Sequence, residues 1–176
     1  MRFSECAADQ PDPCGILNQG ATIRSIRIET DILAPPDVLF DLALDLEVHA
    51  KSAAETGERI VETSAAGTLR IGDTVTFEAR HFGLRWQMTA RITEYERPRR
   101  FVDEQQRGPF RSFRHEHLFE PVNGGTRMTD IFTFQAPFGP ISEPILARHL
   151  ARFLTGRARY LRQQAPSRSN PPKPPL

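Results

Sequence analysis

Residues 111–134, RSFRHEHLFEPVNGGTRMTDIFTF, read as two long strands joined by one tight turn. Successive strand residues face opposite sides of a sheet. Phe113, His115, His117 and Phe119 therefore share one face, and Arg114, Glu116, Leu118 and Glu120 share the other. The mostly apolar set is expected to face inward. Asn123-Gly124 is the pair that a two-residue type I′ turn favours, since both central positions need positive φ. That turn sets the register: Phe119 opposite Met128, His117 opposite Asp130 and Phe113 opposite Phe134 inside, with Glu120 opposite Arg127 outside. Two imidazoles and a carboxylate then share an interior wall with aromatic rings.

The 176-residue chain fits one domain with modest tails, large enough to bury a core or enclose a cavity. We expect a tail at residues 1–21, a folded domain at 22–164 and a Pro-rich tail at 165–176. A net charge of +1 gives no general case for nucleic acid or membrane as a partner. The charge is uneven, however. No acidic residue follows Glu143, whereas Arg148, Arg152, Arg157, Arg159, Arg162, Arg168 and Lys173 all do. These cations are spread around a helix rather than gathered in one stripe, as on a solvated face. Cys6 and Cys14 match no zinc-knuckle spacing, and free thiols suit a cytoplasmic protein. The opening MRFSECAADQPDPCG lacks the apolar core of a signal peptide, and no stable membrane insertion is expected.

Taken in order, residues 22–33 alternate Ile23, Ile26, Ile28 and Ile32 as a first strand, which Ala34-Pro35-Pro36 ends. Proline suits a first helical turn, so Pro36 opens a helix with Asp37 at its positive end and Val38, Leu39, Leu42 and Leu46 buried. A break near Asp45 divides this segment into two short helices. Strand signals follow at 58–63, at 68–71 as a return to an edge, at 73–82, at 84–95 and at 101–106. In the third, Val75, Phe77, Ala79 and His81 share a face; in the fourth, Leu84, Trp86, Met88, Ala90 and Ile92 do. Residues 141–163 form the one long helix, with Leu146, Leu150, Phe153, Leu154, Tyr160 and Leu161 on one side. Arg157 projects from this apolar stripe. It must reach past the sheet rim to water or meet an interior carboxylate, and near a helix end the reach to water is favoured.

This order predicts an α+β fold: a curved antiparallel sheet of about seven strands wrapped around a long C-terminal helix, with two short helices after the first strand. One helix cannot fill so bent a sheet, and a cavity is expected between them. Three stretches resemble the SRPBCC or START-like superfamily with the helix-grip fold, which includes the birch-pollen allergen Bet v 1, START lipid-transfer domains, coenzyme Q-binding proteins and polyketide cyclases. They are IRIETDILAPPDVLFDLALD (26–45), GDTVTFEARHFGLRWQMTARITEYERPRRFVDEQQRGPFRSFRHEHLFE (72–120) and GGTRMTDIFTFQAPFGP (124–140). The polyketide cyclase and coenzyme Q-binding branches are the most similar. The resemblance implies a hydrophobic small ligand (lipid, polyketide or quinone-like) held between sheet and long helix. It transfers no catalytic set residue by residue, because one cavity serves carriage, sensing and several reactions in this superfamily.

The candidate site therefore rests on parity. Phe101, Asp103 and Gln105 share a face, and pairing through Gly108-Pro109 puts Asp103 and Gln105 beside His115 and His117. Several polar groups on one wall exceed what a plain core tolerates, and such a wall in an apolar surface suits a small-molecule pocket. The expected lining is Phe77, His81, Trp86, Met88, Asp103, Gln105, Phe113, Phe119, Met128, Phe132, Phe134, Leu146, Leu150, Phe153 and Arg157. His115, His117 and Asp130 are the acid/base or ligand-orienting candidates. The same wall could be a satisfied structural network. His115, His117 and Asp130 also have the ligand types of a facial metal site. Alternate strand residues lie ~7 Å apart, however, and no metal or other cofactor is assigned. His49 and His149 are expected at the surface or rim. Three readings remain open: a carrier of a hydrophobic molecule, a cyclase or dehydratase using these His and Asp residues, and a protein-interaction module whose aromatic face would lie exposed. A homodimer is compatible with all three.

Overall fold

The central hairpin has the expected register. β6 (Ser112–Val122) and β7 (Gly125–Gln135) pair antiparallel with Phe113 opposite Phe134, His117 opposite Asp130, Phe119 opposite Met128 and Glu120 opposite Arg127. Gly124 takes φ +83°, the left-handed conformation the turn requires. The computed structural model describes residues 23–54, 57–81, 84–137 and 142–169, apart from the side chains of residues 53, 80, 81, 84 and 167–169.

The remaining elements are β1 (Ile23–Ile32), α1 (Pro36–Leu44), α2 (Leu46–Ala54), β2 (Glu58–Thr63), β3 (Thr74–His81), β4 (Leu84–Glu96), β5 (Arg100–Arg107) and α3 (Glu143–Ser169). The seven strands form one antiparallel sheet in the order β1-β7-β6-β5-β4-β3-β2. Register shifts leave Gln106 of β5 and Thr93 of β4 out of the β4–β5 pairing, and Val61 of β2 out of the β2–β3 pairing. Such bulges increase local twist and bend the sheet. The outer parity carries charge: Arg114 binds Glu94 at 2.7 Å and Glu104 at 2.8 Å, and Arg100 binds Glu94 and Glu116.

α1 begins with Pro36 in its first turn, and Asp45 separates it from α2. Asp45 has an extended backbone, and its Oδ1 accepts from the N–H groups of Glu47 (2.9 Å) and Val48 (3.2 Å). A carboxylate capping the first amides of α2 makes the break a sequence-coded stop and restart. Phe40 is fully buried. Its ring meets Tyr95, Phe101 and Phe119 edge-on, with centroids 5.2–5.5 Å apart. The interior beneath α1 is thus packed solid, and Phe119 and Met128 belong to that part.

Three expectations need correction. Residues 68–71 form no strand; Thr68 makes a single bridge to Asp45, because the Leu69 amide bonds the Leu44 carbonyl at the end of α1. Val38 and Leu46 are half-buried, and Phe40 takes the deep position instead. α3 runs through Pro166 to Ser169, beyond the expected end at 163 and into the expected tail. Ala165 is fully buried there, so packing holds a final turn that proline alone disfavours.

Candidate functional site

Between the sheet and α3 lies a cavity of about 1020 Å³. Its lining is overwhelmingly apolar: Phe77, Trp86, Met88, Phe113 and Phe132 from the sheet, and Leu146, Leu150 and Phe153 from α3. Those eight residues, with Asp103, His115 and His117, lie on the faces that strand parity and the helix stripe assign them, and Arg157 lines the cavity as well. The dry side of the late strands encloses space.

Four expected lining residues lie elsewhere. Phe119 and Met128 fill the solid core under α1. Phe134 is buried beside Phe110 and Phe132, with ring centroids 5.6 and 6.0 Å away. Gln105 turns to the loop after β5, where Nε2 donates to the Phe110 carbonyl (2.8 Å) and Oε1 accepts from the Phe110 N–H (3.3 Å). The side chain of His81 is outside the described residues.

The polar cluster sits in the middle of the cavity wall. Pairing of Asp103 with His115, and of His117 with Asp130, brings three adjacent strands to one spot. The rings of His115 and His117 lean together to 3.8 Å between centroids, and His117 stacks on Phe101 at 4.1 Å. The ~7 Å backbone spacing of alternate residues therefore does not keep these side chains apart. His117 Nε2 lies 3.0 Å from Asp103 Oδ1, and His115 Nε2 lies 3.1 Å from Asp130 Oδ1. Asp130 is 1% exposed and stands behind the imidazoles, not among the cavity-lining residues.

Arg157 turns inward, contrary to the favoured reach to water, and is 4% exposed. Nη2 donates to the Ala43 carbonyl at 3.0 Å, Nη1 lies 3.3 Å from His117 Nδ1, and Asp130 Oδ1 is 3.7 Å away. The Ala43 carbonyl in the last turn of α1 and a buried carboxylate provide the compensation that a buried cation requires.

Burial alone would raise the Asp130 carboxyl. Hydrogen bonds from His115 and His117 outweigh it and hold the group far below the usual carboxylate range. Asp103 is likewise lowered, with burial opposed by the His117 hydrogen bond and by the nearby imidazole and guanidinium charges. Burial pushes His115 below its ordinary 6.5, and neighbouring His117 adds to the effect. His117 has charged neighbours on both sides of its ring: Nε2 lies 3.0 Å from Asp103 Oδ1, and Nδ1 lies 3.3 Å from Arg157 Nη1 and 2.7 Å from Asp130 Oδ1.

Two titratable groups extend the lining. His49 is not at the surface: it belongs to the cavity wall, 5.0 Å from the Phe77 ring, and its Nδ1 is buried with no hydrogen-bond partner among the described residues. Burial, and then the Arg157 charge, lower it to about 3. Glu58 also lines the cavity, and burial raises its carboxyl to about 7. Glu58 pairs with Ala79 and Ile60 with Phe77, so the inner parity of β3 carries over to Glu58. His49 sits on a helix outside any strand parity, and no comparable signal marks it. His149, Arg148 and Arg152 line the α3 side. Among the described residues no helix is long and apolar enough to cross a membrane.

Structural comparison finds the same architecture in proteins of low identity. A protein of Thermus thermophilus superposes with a TM-score of 0.67 at 20% identity, covering 84% of this chain and 100% of its own. The Zhui aromatase/cyclase of a Streptomyces species gives 0.67 at 13%, covering 85% and 97%. A major latex-like protein of Panax ginseng gives 0.61 at 12%, covering 81% and 97%. No curated protein matches the sequence significantly. The family model described as polyketide cyclase/dehydrase and lipid transport matches residues 24–165. With its helix-grip fold and its apolar cavity, the chain belongs to the polyketide cyclase/dehydrase and lipid transport family.

Proposed function

We propose that the protein binds a hydrophobic small molecule, lipid, polyketide or quinone-like, in the cavity between sheet and α3, with one polar end held by Asp103, His115 and His117. The observation that carries this reading is an apolar space of about 1020 Å³ with one convergent polar cluster in its wall. That is the form of a small-molecule site, and its volume is at the upper end of the usual range. The family's description, which includes lipid transport, supports it. Native mass spectrometry of the purified chain tests it: a retained apolar molecule is expected, released more readily by His117→Ala. A chain that carries no guest and takes up no hydrophobic probe overturns it.

A second reading, a cyclase or dehydratase without metal or nucleotide cofactor, is favoured by two imidazoles at the cavity wall that each lie within hydrogen-bond reach of a carboxylate. Here His117 or His115 moves the proton, while Asp103 and Asp130 orient the rings. In that case His117→Ala leaves guest binding largely intact and abolishes its conversion, whereas a pure carrier loses binding alone. The interaction-module reading is dropped, because the aromatic face wraps a void instead of lying exposed.

A further inference from the structure

Asp130 holds two imidazoles at once. Its Oδ1 hydrogen-bonds His115 Nε2 at 3.1 Å and lies 2.7 Å from His117 Nδ1, which is also 3.3 Å from Arg157 Nη1, so each ring turns one nitrogen toward that carboxylate. The other two nitrogens, His115 Nδ1 and His117 Nε2, lie 3.7 and 3.0 Å from Asp103 Oδ1. One ligand atom from each of Asp103, His115 and His117 lies within 4.8 Å of the other two. These three residues line the cavity, and Asp130 does not. An imidazole that ligates a metal nearly always gives its second nitrogen to a carboxylate, carbonyl or water, which fixes the ring. Here one buried carboxylate does so for two rings.

Two further observations point to a cation. His115 Nδ1 makes no hydrogen bond among the described residues; its distance to Asp103 is beyond hydrogen-bond range. With both rings neutral, Asp103, Asp130 and Arg157 sum to one net negative charge in a largely buried setting, which a bound cation would offset.

We infer that Asp103, His115 and His117 form a site for one divalent first-row transition-metal ion, its remaining coordination positions facing the cavity. Bonds of about 2.0–2.2 Å to imidazole nitrogen and carboxylate oxygen set neighbouring ligand atoms roughly 3 Å apart. The Asp103–His117 pair already meets that distance, and the Asp103–His115 pair needs a small closure. Asp103, 19% exposed toward the cavity, has the freedom to make it. The ion would take the place of the proton between His117 and Asp103. Two nitrogen donors and one oxygen suit zinc(II) or iron(II) rather than magnesium or calcium, which prefer oxygen alone. Asp130 is a positioning residue in this site. The inference does not rest on the ligand-binding reading, since a guest can occupy the cavity with or without an ion in its wall. It competes with proton transfer by the imidazoles, because a coordinated nitrogen has no lone pair to offer.

The test uses the full chain with Cys6→Ser and Cys14→Ser, which removes the two thiols, stripped with chelator and titrated with Co²⁺ as a spectroscopic probe, then with Zn²⁺, Fe²⁺ and Mg²⁺. One equivalent of Co²⁺ is expected to bind with visible ligand-field bands, displaced by Zn²⁺ and not by Mg²⁺. Asp103→Asn and His115→Gln should each weaken Co²⁺ binding at least tenfold, and Asp130→Asn about 10- to 100-fold. Binding that is absent, or equal in Asp103→Asn and His115→Gln, overturns the inference. Should a variant lose its far-UV circular dichroism, electron paramagnetic resonance of Cu²⁺ on the otherwise unsubstituted chain decides: two coupled imidazole nitrogens support the site, and none overturns it. Guest retention by native mass spectrometry is a separate readout, so either proposal can fail without the other.

Discussion

Asp130 makes its contribution from behind the wall, as the anion that keeps Arg157 in the interior. Removing one partner of a buried ion pair strands the other charge, so Asp130→Asn should cost about 3–5 kcal/mol in urea unfolding. Adding Arg157→Met should recover part of that loss, a coupling that a double-mutant cycle measures directly. Glu58 gives a pH test. Its carboxyl titrates near 7 in the fold against an ordinary 4.5, so the folded state binds the extra proton between those values. Stability falls as pH rises through that window and stays reduced above it. Glu58→Gln should remove this slope and raise the melting temperature at pH 8 relative to the natural chain. At this scale His115, His117 and Asp130 were legible because strand parity assigns their side. Arg157 was not: a long side chain can follow either path, and the choice depends on a carboxylate and a helix end that only the packed structure brings near.

Among the elements, the β6–β7 hairpin was legible down to its register because Asn123-Gly124 admits few alternatives. Its two glycines differ in kind. Gly124 needs positive φ, so Gly124→Ala should cost about 1–2 kcal/mol. At Gly125 a Cβ would sit 2.2 Å from the Ile32 carbonyl oxygen, against backbone of β1 that cannot swing away. Gly125→Ala should therefore lose more than Gly124→Ala, toward the upper end of the ~1–3 kcal/mol that overpacking costs, as denaturant midpoints at constant m-value would show. The end of α3 was less legible, since Pro166 reads as a stop while the burial of Ala165 lies in tertiary packing. Gln105 illustrates the same limit. Parity placed it inward, but at the end of β5 the Phe110 backbone captured its amide.

At the level of the whole molecule, a bent sheet with one long helix implied a void, and the void is there. Its extent was not legible, because Phe40 and α1 decide which half of the inner face is filled. Ala90 lies in the cavity wall on β4, so Ala90→Phe should occupy guest space. Uptake of the fluorescent probe anilinonaphthalene sulfonate should weaken about tenfold or more, equivalent to ~1.4 kcal/mol, with the urea midpoint nearly unchanged. The strand order carries a consequence for how the chain reaches this form. β1 pairs with β7 alone, Ile23 against Gln135 and Ile32 against Thr126. A ribosome releases β1 first and its partner nearly last, so the sheet cannot be sealed until most of the polypeptide has been made. Until then the isoleucines of β1 wait without a neighbour, a slow, long-range closure that leaves the nascent chain open to chaperones and to wrong pairings.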